Sequence, residues 1–121
     1  MTSRELIVWL TLAQGVCSPV AAWARDRSPS EILRNPDRFH EQSVIIAGTV
    51  SNVRELVSAR GTPYFIFDVD DGLRSLSVVK YGAAPCGAGA QATVEGQFFK
   101  VAKQGQETIR NQVRAYRVVC R

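Results

Sequence analysis

The sequence predicts a mostly β domain of five strands preceded by a short N-terminal helix. Two observations carry this. Between Ser43 and Cys120, apolar and polar side chains alternate at period two in five stretches, most of them β-branched or aromatic, with Gly- and Pro-bearing segments between several of them. Ahead of them, Ser28-Pro29-Ser30-Glu31 is a capping box with proline at the first helical position.

The chain opens with a different kind of segment. Residues Leu6 to Ala24 carry no charge, follow a head containing Arg4 and Glu5, and end in Ala22-Trp23-Ala24 before Arg25-Asp26-Arg27. The run Leu6 to Ala13 has the length of a secretory h-region and falls short of the ~20 apolar residues of a membrane span. Cleavage after Ala24 is expected, which makes 1–24 a signal peptide. An amphipathic first helix or an uncleaved anchor is the alternative. A lipoprotein site at Cys17 fits less well, because bulky Val16 precedes it.

Removing 24 of 121 residues leaves 97, enough for one core. Arg4 and Glu5 leave together, so the net charge stays at +4. That surplus favours anionic partners without choosing among them, and it also serves solubility. No second apolar run is long enough for a span, so no stable membrane insertion is expected after processing. Cys86 and Cys120 remain as an even pair in an oxidising compartment, and a disulfide between them is expected. Two free thiols are the alternative. Zinc is short of ligands, with two cysteines and one histidine, and no cofactor is expected.

Residues 25–42 read as a short lead and a helix carrying Ile32 and Leu33, ended by Pro36, with a turn through Asp37-Arg38-Phe39. The first strand spans Val44 to Val53, with Gly48 where it could bend. Tyr64 to Val69 is the second, with Phe65, Phe67 and Val69 on one face. Asp70-Asp71-Gly72 turns into the third, Ser75 to Val79. An irregular stretch from Gly82 to Gly89 leads to the fourth, Ala92 to Phe98. A polar loop over Lys100 to Asn111 precedes the fifth, Val113 to Cys120.

Val44 to Val50 with Gly48, Pro63 to Gly72, and Gly89 to Phe98 with Val94-Glu95-Gly96 are the segments in which the chain resembles bacterial OB-fold (oligonucleotide/oligosaccharide-binding) proteins, including exported ones. The resemblance covers Ser43 to Cys120 and implies a five-stranded OB-type barrel over 43–121. A small open sheet or an SH3-like barrel is the alternative. The departure is the third connection, where many members carry a helix and this chain has a loop with Cys86.

The resemblance also implies where a ligand would lie: across strands two and three, between the first–second and fourth–fifth loops. Arg54 and Arg60, beside Glu55, would come from the first loop, and Lys100, Lys103 and Arg110 from the other. Tyr64 points away from the core and would offer a stacking plane near Arg74 and Lys80. The alternative is an inert barrel with dispersed basic residues, on which Tyr81 or Phe99 covers the core. The function expected is a non-catalytic exported binding module, periplasmic or secreted, for an envelope protein, peptide or glycan. Single-stranded nucleic acid is the alternative partner. Asp68, Asp70 and Asp71 lack EF-hand spacing, and hairpin chemistry explains two of them. His40 is read as a surface residue with no catalytic partner.

Overall fold

The computed structural model describes residues 26–121. The expected cleavage after Ala24, together with Arg25 and Cys17, lies outside the described residues. Two one-turn helices come first, α1 (Pro29–Arg34) and α2 (Pro36–Phe39). Ser28 caps α1 by accepting from the Glu31 N–H at 3.1 Å, with Pro29 at the first position. Pro36 ends that helix and starts the next, so the turn expected at 37–39 is helical instead.

Five strands follow: β1 (Ser43–Val57), β2 (Pro63–Asp70), β3 (Ser75–Tyr81), β4 (Gln91–Gln104) and β5 (Glu107–Cys120). They close into a barrel in the order β1-β2-β3-β5-β4, which is the OB-type arrangement. Strand β1 serves two neighbours. Its first half, Ser43 to Thr49, pairs with β4, and from Thr49 onward it pairs with β2. Three parallel pairs between β3 and β5, Ser77–Gln112, Val78–Val113 and Val79–Arg114, complete the ring.

The alternation seen in the sequence becomes the core. Phe65, Phe67, Val69, Leu76, Val78, Val94, Phe98 and Val113 point inward and are buried, with Val44, Ile46 and Val50 from β1. Ile32 and Phe39 bring the two helices onto this core and are buried with it.

Two glycines mark where strands approach too closely for a side chain. A Cβ on Gly48 would lie within 3 Å of the Asp70 carbonyl oxygen and the Val69 side chain. One on Gly96 would meet the Arg114 carbonyl oxygen and the Ala115 Cα. Gly48 therefore stands where β1 passes from β4 to β2, and close approach is what requires glycine there.

The expected strands were too short in three places. A bulge between Ser51 and Arg54 carries β1 on to Val57, so Arg54 and Glu55 belong to a strand and not to the loop. Strands β4 and β5 pair from Ala92–Cys120 as far as Gln104–Glu107, which turns the expected polar loop into a hairpin. Its tip is Gly105, at φ 66°. Lys100, Lys103 and Arg110 are thus strand residues. The reason is that this hairpin has little core to cover, so its sequence loses the apolar period while its backbone pairing continues.

The third connection, 82–90, is irregular as expected, and a disulfide joins Cys86 to Cys120 at the end of β5 with Cα atoms 6.1 Å apart. Both cysteines are half-buried and pack against the core. The bond holds this loop against the barrel.

At the β2–β3 turn the carboxylates are structural. Asp71 accepts the N–H groups of Leu73 and Arg74, each at 2.9 Å, and through its other oxygen the Ser30 N–H at 2.9 Å, which ties α1 to the hairpin. Partial burial raises the Asp71 pKa, but Ser30 and the N–H groups of Arg74 and Leu73 outweigh it and hold the carboxyl far below its ordinary value. The Ser30 hydroxyl acts on this carboxylate without reaching hydrogen-bond geometry, and the backbone contacts are the firm ones. Asp70 accepts the Gly72 N–H at 2.6 Å, and Asp68 accepts from Asn52 at 2.9 Å.

Candidate nucleic-acid interface

Cross-strand partners in a sheet point to the same side, so the register places the outward-facing residues. One row runs Leu56, Tyr64, Tyr81 across β1, β2 and β3. The next runs Arg54, Ile66, Val79, Arg114 across β1, β2, β3 and β5. Together they form the outer face of the barrel beside two turns, 58–62 and the β4–β5 tip.

An open groove of about 560 Å³ lies on this face. Tyr64 and Tyr81 form one side, with ring centroids 6.5 Å apart in an edge-to-face arrangement. Val79, Lys80 and the Ser58–Ala59 turn also line it, and Lys103 and Arg114 supply its outward-facing cations, since Lys80 shares the side of its buried partner Phe65. Tyr81 is 70% exposed, which removes it from the alternative of a core cover.

Arg114 is held in place from two directions. Its guanidinium carbon sits 4.7 Å from the centre of the Phe99 ring, and a terminal N–H donates to the Lys103 carbonyl at 3.1 Å. The Lys103 ammonium donates to the Thr108 hydroxyl at 3.1 Å. Among the described residues, no carboxylate pairs with Arg54, Arg60, Lys80, Lys103 or Arg114. The groove is therefore electropositive and partly apolar.

The structure gathers some of the sequence-derived candidates and separates others. Tyr64, Lys80 and Lys103 line the groove, Arg54 lies on the same face, and exposed Arg60 sits on the neighbouring turn. Arg110 faces Val101, between Lys103 and Arg114 along the β4–β5 hairpin, and does not line the groove. Arg74 faces Asp71 at the opposite end of the β2–β3 pair, seven positions along and roughly 20 Å from Tyr64. Lys100 is drawn away to α2, where its ammonium meets the Asp37 carboxylate at 2.5 Å and keeps that carboxyl below its ordinary pKa. His40 is not a bystander either: its Nδ1 accepts the Lys100 backbone N–H at 3.0 Å, which pins α2 to β4.

Arg114 was missed by sequence reasoning. Val113 is buried in the structure, and alternation along β5 then puts its neighbour Arg114 outside. What the sequence lacks is any local sign that β5 lies beside β3.

No protein-family model matches the chain, and a search of curated proteins finds no match. In structure it is similar to a chain described as an aspartyl-tRNA synthetase from Leishmania major Friedlin, at a TM-score of 0.59 and 14% identity. The match covers 80% of this chain and 20% of that one, so this chain spans about a fifth of that protein's length. At this identity the likeness speaks for the fold, and with the strand order it defines the class: a small OB-type β-barrel.

Proposed function

We propose that this chain is a non-catalytic binding module whose groove takes single-stranded nucleic acid. Bases stack on Tyr64 and Tyr81, and phosphates lie against Lys103 and Arg114. The observation that carries this reading is the pairing of two accessible aromatic rings with cations that no carboxylate neutralises. Base stacking supplies about 1–3 kcal/mol per base without sequence preference, and cations beside it track the backbone. The net charge of +4 acts in the same direction. The neighbour's description as a tRNA synthetase supports the reading by analogy of fold alone.

A second reading rests on the Cys86–Cys120 disulfide. That bond favours an oxidising compartment and agrees with the expected export signal. In the periplasm or outside the cell, the same groove would meet an envelope protein, peptide or glycan.

The test is binding of a labelled single-stranded oligonucleotide at rising salt. The first reading expects affinity that falls steeply with salt, falls further in Tyr64→Ala and Lys103→Ala, and exceeds that for duplex. No binding at low salt would end it, and saturable binding of an envelope glycan or peptide by the same groove would establish the second.

A further inference from the structure

A separate cleft lies near the start of β1, built on the ring of Phe39. Two arginines approach that one buried ring: the guanidinium carbons of Arg27 and Arg38 stand 4.9 and 5.3 Å from its centre. Between them is a space of about 200 Å³, lined also by Gln42 and Ser43. We propose that this cleft binds a phosphate group, held between the Arg27 and Arg38 guanidiniums.

The charges around it favour an anion. Glu31 is engaged by Arg27, with N and O 2.5 Å apart. Asp37, next to Arg38 in the chain, is taken by Lys100. Glu41 lies toward His40, with 4.0 Å between Oε2 and Nε2. Arg38 is thus left without a carboxylate partner among the described residues. Arg27 contacts Glu31 through one terminal nitrogen, and a guanidinium carries five N–H donors in all.

Stacking on Phe39 reduces the freedom of both guanidiniums, so less entropy is lost when they grip a planar or tetrahedral oxyanion. Arg27 is fixed further by its backbone, whose N–H donates to the Ile45 carbonyl at 2.7 Å. The cleft has the volume of roughly six or seven liquid waters, enough for a phosphate group with some of its hydration. Its lining has no ring open to stacking, because Phe39 is only 4% exposed, so the phosphate and not an attached base is what it recognises.

The test follows the arginine Nε–H resonances of the whole chain by NMR as inorganic phosphate replaces chloride at constant ionic strength. A parallel titration uses phosphoethanolamine. The Arg27 and Arg38 signals are expected to shift together and saturate at lower phosphate than any movement of Arg114 in the groove. Saturation tighter with inorganic phosphate identifies a free ion as the ligand, and tighter with phosphoethanolamine a terminal phosphate on a larger molecule. Arg38→Gln should weaken either by about tenfold or more through loss of a charge-assisted fork. Arg38→Lys, which keeps the charge, should retain weaker binding even if the glutamine variant does not fold. Tyr64→Ala should leave the titration unchanged. Shifts that never saturate, or saturation that survives Arg38→Gln undiminished, would overturn the proposal.

Discussion

Opening the Cys86–Cys120 bond is expected to cost this barrel a large share of its stability. The two cysteines are 34 residues apart, and in the loop-entropy treatment a cross-link of that span restricts the unfolded chain by about 4 kcal/mol. Domains of this size hold only about 5–15 kcal/mol in all. Urea unfolding followed by circular dichroism, with and without a phosphine reductant, reads the difference without altering any side chain. With a slope of about 1–1.5 kcal/mol per molar for a chain near 100 residues, the midpoint should fall by roughly 3 M. A C86A/C120A variant should fall at least as far, since the half-buried cysteines also pack against the core. A midpoint that moves by less than about 0.5 M in both would show that the bond contributes little to stability. It would mean that the 82–90 loop closes the barrel without its cross-link.

Other expectations follow from single contacts. Asp71→Asn removes a carboxylate that accepts three backbone N–H groups and should cost about 2 kcal/mol at neutral pH in chemical denaturation. Because the folded pKa of Asp71 is lowered from 3.8, its contribution is present in full above that value and is lost as pH falls below it. The wild type should therefore lose more stability than the variant between pH 5 and 2. Gly96→Ala puts a Cβ within 3 Å of the Arg114 carbonyl oxygen and the Ala115 Cα, and should destabilise by about 3 kcal/mol or prevent folding. Gly105→Ala, at φ +66° but in open space, should cost only about 1 kcal/mol, which thermal denaturation of the two variants side by side will distinguish.

Much of the barrel was legible from local pattern. Phe65, Phe67 and Val69 alternate with Tyr64, Ile66 and Asp68, so both the core and the outer face of β2 could be read from the order of residues. The polar half of the β4–β5 hairpin could not, because Lys103, Thr108 and Arg110 lie over solvent and carry no apolar period. Closure is missing from the local pattern for a different reason, and only the OB resemblance implied it. The β3–β5 pairing is parallel and joins residues some 35 positions apart, and nothing local encodes it. The site inherits both limits. Tyr64, Lys80 and Lys103 could be chosen from the chain, whereas Arg114 enters only once β5 lies beside β3. Lys100 looked equivalent to Lys103 in sequence, yet it faces α2 and is neutralised by Asp37.

The groove itself is tested most directly by titrating the chain with a short single-stranded oligonucleotide and following the tyrosine ring protons and the arginine Nε–H groups. Saturable upfield shifts of the Tyr64 and Tyr81 rings, as arise beneath stacked bases, are expected together with movement of Arg114. Rings that stay unmoved while the oligonucleotide binds elsewhere, or an oligonucleotide that does not bind at all, would contradict the groove's proposed role.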